Sequence, residues 1–269
     1  MQRPTGKESV MSRGPVVVVH RDRQFLADAA AARLVTAIVD AQSSRGQADI
    51  VLTGGSMGSA LLVSLGQSPA KDSIDWPRLN VWWGDERFLP AGDPERIETQ
   101  SRELLLDAVP LDPARVHAMP ASDGPAGPDV DAAAARYAAD LAAAAPSGHD
   151  VPEFDVLMLG VGPDAHVASL FPEHPALHEL DASVIGVRGA PKPPPTRVSM
   201  TFPSLCAARD VWFLVSGADK ASAVGLALSG AGPLQAPAAG VSGLRSTTWL
   251  LDRDAATHVP KALIRLASP

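Results

Sequence analysis

The sequence predicts an α/β protein of Rossmann-like type, a largely parallel sheet flanked by helices on both faces. Three observations predict it. Short runs rich in Val, Leu, Ile and Trp recur along the chain and are apolar at successive positions, as strands buried on both faces require. Stretches with apolar residues at helical spacing fall between most of these runs. Glycine-containing segments follow several of the runs, where a parallel sheet hands its strands to helices.

The elements follow in order. Pro15–His20 reads as a strand, bounded by Gly14 and the charged Arg21-Asp22-Arg23. Residues 24–41 place Phe25, Leu26, Ala29, Leu34, Ile38 and Val39 on one helical stripe. A second strand, Ala48–Leu52, runs into Thr53-Gly54-Gly55-Ser56-Met57-Gly58 and a helix through Leu61 and Leu65. Further strands are expected at Leu79–Trp83, Phe154–Leu159, Ser183–Val187, Arg197–Thr201, Val211–Val215 and Thr247–Leu251, with helices at Ser101–Leu106, Asp131–Ala144 and Asp219–Leu228. The alanine-rich Ala132–Ala145 and its Pro/Gly-rich entry Ser122–Pro128 read as a plain surface helix and its loop. No internal repeat or linker interrupts the pattern, so residues 15–269 are expected to form one domain behind a disordered extension over residues 1–14.

Composition narrows the function. A chain of 269 residues, 46 % apolar, can bury one substantial core and is no disordered polymer. A formal charge of -7 argues against nucleic acid or an anionic membrane as the main partner. An anionic small molecule would therefore need a local basic pocket. Cys206 is the only cysteine, which excludes an intrachain disulfide and a cysteine-based zinc site. The apolar run Val16–Val19 is too short for an export signal or a membrane span, so the cytoplasm is the expected compartment. His174 and His178 have no third ligand candidate arranged with them, and neither a metal nor another cofactor is expected. Nothing in the sequence calls for an obligate protein partner.

In parallel sheets, ligands bind where loops leave the carboxyl ends of the strands, which singles out the loops after Leu52, Trp83 and Leu159. The first, Thr53–Gly58, lets the backbone approach a ligand and offers free N–H groups at a helix start, with the Ser56 hydroxyl beside them. It matches neither the dinucleotide fingerprint nor the P-loop pattern, and alone it reads equally as a tight turn without a ligand. The second, Gly84-Asp85-Glu86-Arg87, sets three charges at the exit of an apolar strand. Arg87 has the planar donor fork that suits a phosphate, while Asp85 or Glu86 could hold that guanidinium or a neighbouring catalytic group; a structural ion pair is the plainer alternative.

The third loop, Gly160–Pro172, puts Asp164 and His166 near an expected helix start. An unperturbed imidazole titrates close to neutrality, which makes His166 a ready general base with a carboxylate to orient it. Farther on, prolines in Pro191-Lys192-Pro193-Pro194-Pro195 stiffen an arm around Lys192, one of five lysines in the chain. That arm reads as a phosphate contact, a surface connection or a docking motif.

Together these segments resemble the 6-phosphogluconolactonases, a branch of the fold shared with glucosamine-6-phosphate deaminases. The resemblance spans about Pro15 to Asp252 and rests on Leu52-Thr53-Gly54-Gly55-Ser56, Trp83-Gly84-Asp85-Glu86-Arg87, Gly160–Pro172, Pro191-Lys192-Pro193-Pro194 and Phe213–Lys220, in that order. It implies a phosphate site from Gly54, Gly55, Ser56, Arg87 and Lys192, with Asp85 among the substrate-binding residues, His166 as base and Asp164 beside it. The Ser169-Leu170-Phe171-Pro172 continuation and the proline arm favour the lactonase branch over the deaminases. Two positions depart from the family pattern. Ala165 stands where glycine is usual, at a strain cost if its φ is positive, and Ile97 stands where an asparagine is usual, so that amide's hydrogen bonds are absent.

The resemblance implies hydrolysis of 6-phospho-D-glucono-1,5-lactone to 6-phospho-D-gluconate in the oxidative pentose phosphate pathway. His166 would activate water, while Cys206 and Ser169 have no evident partner for a covalent route. A deaminase- or isomerase-like enzyme and a non-catalytic sugar-phosphate-binding protein are the alternatives.

Overall fold

The computed structural model describes residues 14–266, so the disordered extension expected over residues 1–14 lies, Gly14 apart, outside the described residues. In chain order the elements are β1 (Val16–His20), α1 (Arg23–Arg45), β2 (Ala48–Leu52), α2 (Gly55–Gln67), β3 (Leu79–Trp83), β4 (Asp85–Arg87), α3 (Ile97–Leu104), α4 (Val130–Ala144), β5 (Val156–Leu159), β6 (Val184–Val187), β7 (Arg197–Met200), α5 (Phe202–Leu205), β8 (Asp210–Val215), α6 (Ala221–Leu228), β9 (Ser246–Asp252) and β10 (Ile264–Leu266). Short 3-10 turns fill several of the connections.

Seven strands make one sheet in the order β10-β1-β9-β8-β5-β2-β3, and every pairing in it is parallel. Strand periodicity sorts its side chains into two cores. Val17, Val51, Trp82, Leu157, Phe213 and Trp249 face α4, α6 and the second sheet. Val18, Ile50, Val81, Met158, Leu214 and Leu250 face α1 and α2. Helices therefore cover both faces, as the runs of consecutive apolar residues predict.

Three expectations need correction. Ser183–Val187 and Arg197–Thr201 do not join the parallel sheet: β6 and β7 pair antiparallel with each other, and β4 adds to β7, in a separate three-stranded sheet ordered β4-β7-β6. The charged Asp85-Glu86-Arg87 is thus a strand and not merely a loop. Nor is α4 a plain surface helix. Its Tyr137 is fully buried, and the phenol oxygen accepts from Trp83 N at 3.0 Å and donates to Trp83 O at 3.2 Å. Because β3 is an edge strand, those backbone groups have no strand partner, and Tyr137 supplies the missing bonds, each worth about 1 kcal/mol. The effect is to pin the end of β3 just where the chain turns into β4.

Candidate active site

The carboxyl ends of β2, β3, β5 and β8 lie along one edge of the parallel sheet, and a cavity of about 280 Å³ opens there. Its lining includes Gly54, Gly55, Ser56, Asp85, Arg87, His166 and Lys192. Asp164, behind His166, completes the set that sequence reasoning singled out. All eight residues therefore meet at one place, although they span 139 positions of the chain, from 54 to 192.

The Thr53–Gly58 loop forms as expected. Gly55 takes φ +76°, a left-handed conformation that favours glycine. Gly54 caps α2 with no side-chain hydrogen bond, so no side chain of the cap takes the N–H groups of the first turn at the cavity wall. Thr53 Oγ1 accepts from Gly160 N at 3.1 Å, which ties this loop to the one carrying His166. Ile97 is buried against Gly54: a Cβ at residue 54 would sit 2.8 Å from the isoleucine side chain. Its side chain contributes an apolar patch of cavity wall and no hydrogen bond.

Alternation along β4 decides which of its charges face the cavity. Asp85 and Arg87 point one way, with their cross-strand partners Ser199 and Arg197 on β7. Glu86 points the other way and is 1 % exposed. Its Oε1 accepts from Arg87 N at 2.8 Å and Ile97 N at 2.7 Å, and its Oε2 from Glu98 N at 2.8 Å. Glu86 is thus the anionic cap of α3. Burial pushes its carboxyl up to about 6, against the pull of Arg96 and the three backbone donors.

Of the two tasks expected of Asp85 or Glu86, holding the Arg87 guanidinium or a neighbouring catalytic group, the first is not seen: neither carboxylate is within ion-pair distance of that guanidinium. Arg87 Nη1 donates instead to Glu95 O at 2.6 Å, and its buried Nε has no partner among the described residues. Asp85 Oδ2 accepts from the Ser169 hydroxyl at 2.7 Å. Ser169, fully buried, therefore does have a polar partner, but it is a carboxylate that bonds to no histidine among the described residues. Two arginines directly opposite each other repel, an arrangement that favours an anion in the cavity between them.

No helix begins near Asp164 and His166. Residues 160–174 run instead as successive turns, closed by Gly162 N to His166 O at 3.0 Å and Ala165 N to Gly162 O at 2.9 Å. These turns force Ala165 to φ +67° and Ala168 to φ +47°. The strain expected at Ala165 is present, at a cost of about 1–2 kcal/mol. Its methyl is fully buried, however, and contributes about 0.8 kcal/mol in return. Ala165→Gly is therefore expected to change unfolding free energy by less than about 1 kcal/mol. Denaturant melts check this, and a stabilisation well above that figure would mean that the alanine is poorly accommodated.

Asp164 Oδ1 lies 2.5 Å from His166 Nδ1. That contact requires the proton on Nδ1, which leaves Nε2 as the basic nitrogen, and Nε2 makes no hydrogen bond among the described residues. The His166 ring rests on buried Phe171, centroid to centroid 4.6 Å. Lys192 Nζ is 3.6 Å from Asp164 Oδ1 and 3.4 Å from His166 Nδ1. With Nδ1 already donating to Asp164, the lysine interacts with the carboxylate and not with the ring. Burial raises the Asp164 carboxyl, but the His166 hydrogen bond and the charges of His166 and Lys192 outweigh it and hold the group well below the usual carboxylate range.

Two charged residues lining the cavity, Lys220 and Arg197, have no assignment from sequence. Lys220 stands in the Phe213–Lys220 segment, immediately before α6, and pairs with Asp219 at 3.0 Å. Arg197 is 6 % exposed, and burial pushes its guanidinium below its ordinary value. Its position opposite Arg87 follows from β-pairing, which no local pattern reveals. Among the described residues no group of three His, Cys, Asp or Glu side chains could hold a metal ion, and no helix is long and apolar enough to cross a membrane.

Comparison with known proteins adds an independent line. The family described as glucosamine-6-phosphate isomerases/6-phosphogluconolactonase matches residues 21–249. A 6-phosphogluconolactonase of Streptomyces coelicolor is 63 % identical over 96 % of this chain and 100 % of its own length. The 6-phosphogluconolactonase of Mycobacterium tuberculosis is 48 % identical over 91 % of this chain and 98 % of its own. The solved 6-phosphogluconolactonase from Trypanosoma brucei superposes with a TM-score of 0.75 at 28 % identity, covering 93 % of this chain and all of the other.

Proposed function

Given that the chain belongs to the glucosamine-6-phosphate isomerase/6-phosphogluconolactonase family of enzymes, we propose that it hydrolyses 6-phospho-D-glucono-1,5-lactone to 6-phospho-D-gluconate. It would do so as one α/β domain, in the cytoplasm, within the oxidative pentose phosphate pathway. The observation that carries this reading is the His166–Asp164 pair, whose 2.5 Å contact leaves a basic Nε2 in a cavity that also holds Arg87 and the start of α2.

The 6-phosphate binds at Gly54, Gly55 and Ser56 and to the unpaired edge of Arg87, and Asp85 offers its second carboxylate oxygen to the sugar. Binding at this remote group orients the lactone carbonyl. His166 Nε2 takes a proton from water as the water oxygen bonds to C1, giving a tetrahedral oxyanion. When that intermediate collapses, the bond from C1 to the ring oxygen breaks and the imidazolium returns the proton to that oxygen. Asp164 stabilises the imidazolium throughout, and Lys192 adds positive charge beside the pair.

Arg87→Ala is expected to raise KM about 10- to 100-fold with a smaller effect on kcat, the cost of a charge-assisted contact made in both ground and transition states. An unchanged KM would remove Arg87 from the phosphate site. The two branches of the family are separated by parallel assays, acid release from the lactone against ammonia release from glucosamine 6-phosphate. Acid release alone is expected, and ammonia release alone would overturn the assignment.

A further inference from the structure

Arg197 is a buried charge whose hydrogen bonds point to a task. No carboxylate among the described residues is within ion-pair distance of it. Its donors go instead to three successive carbonyls of one segment: Nη2 to Lys192 O at 3.2 Å and Pro193 O at 3.0 Å, and Nε to Pro194 O at 3.0 Å. The segment needs such a partner. Residues 191, 193, 194 and 195 are prolines, so the arm has almost no N–H groups with which to join a sheet, and its carbonyls are its main handles. One main-chain bond, Ala190 N to Pro195 O at 3.0 Å, closes the base of the arm. Between those two residues, the main-chain hydrogen bonds seen among the described residues all run to the Arg197 guanidinium.

Arg197 is itself well placed to be an anchor. Its backbone is paired on both sides, to Arg87 and to Val187, and its guanidinium carbon lies 6.0 Å from the Phe171 ring on which His166 rests. We propose that Arg197 is the positioning residue that holds Lys192 against the His166–Asp164 pair, by gripping the arm's carbonyl oxygens. The Lys192 stem is long and flexible, so where its ammonium sits depends on where that backbone is held. A lysine at 197 would keep the charge and lose the planar fork that reaches several carbonyls at once.

This inference rests on the proposed lactonase reaction for its readout. The test is a double-mutant cycle of Arg197→Lys and Lys192→Met, with kcat/KM for 6-phosphogluconolactone measured in all four proteins and melting temperatures measured alongside. Arg197→Lys is expected to lower kcat/KM about 10-fold or more when Lys192 is present and less than about 3-fold when it is already methionine. An equal loss in both backgrounds would overturn the proposal, since a merely structural role does not depend on Lys192. If Arg197→Lys does not fold, Arg197→Gln takes its place in the cycle. Should the wild-type protein not accelerate lactone hydrolysis, the reaction assignment fails by itself. The same cycle is then read from calorimetric binding of 6-phosphogluconate, with coupling supporting the Arg197 role and additivity overturning it.

Discussion

His166→Ala is expected to lower kcat for 6-phosphogluconolactone about 10²- to 10⁴-fold, the usual worth of a general base, while binding of 6-phosphogluconate stays close to wild type. The split follows from the layout of the cavity. Nε2 is the group left free by the Asp164 contact, whereas the proposed phosphate contacts at Gly54, Gly55, Ser56 and Arg87 belong to other strand ends. Removing the imidazole also leaves Asp164 with Lys192 as a partner, so the carboxylate is not stranded. Stopped-flow proton release against the uncatalysed rate measures the first quantity and calorimetry the second. A variant with wild-type turnover would end the assignment of His166 as base.

Gly162→Ala is expected to be nearly as damaging by a different route. A Cβ at residue 162 would lie 1.9 Å from His166 Nδ1, 2.1 Å from its Cε1 and 2.3 Å from Asp164 Oδ1. No atoms coexist at those distances, so the pair must move. Its side chains can swing away, because the backbone of Gly162 is not left-handed and the partners are side-chain ends. Displacement of reacting groups by an ångström costs about 10² in rate, while the fold should lose little. The expected signature is therefore a kcat lowered about 100-fold with a melting temperature near wild type. Full activity would mean that the close contact of Asp164 and His166 over Gly162 is not needed for turnover.

Much of this architecture was legible in the sequence because it is local. Ala48–Leu52 and Leu79–Trp83 are consecutive apolar runs, and both strands form with those bounds. The segments after Leu52, Trp83 and Leu159 carry seven of the eight residues that meet at the cavity, Lys192 being the eighth, since a parallel sheet brings its carboxyl ends to one edge. What was not legible depends on pairing between distant segments. Asp85-Glu86-Arg87 has no strand-like composition, and it becomes β4 only because β7 offers it an edge. The same pairing puts Arg197 opposite Arg87 and turns Glu86 away to cap α3. Lys192 lines the cavity with Arg87, but the contact of its ammonium with Asp164 has no signal in the proline run, whose carbonyls are bound by Arg197 from outside it. Ala165 was suspect on φ alone, and the buried methyl that offsets the strain is visible only in the packed molecule.

The proposed function requires this cavity to accelerate the opening of a phosphorylated lactone. The most direct measurement is the initial hydrolysis rate of freshly generated 6-phosphogluconolactone with the protein, with the protein plus a chelator, and in buffer alone, since the lactone also opens spontaneously. The expected result is a large acceleration over buffer that is unchanged by the chelator. A rate equal to the buffer control, from folded protein that still binds 6-phosphogluconate, would contradict the claim and leave a sugar-phosphate binder in its place.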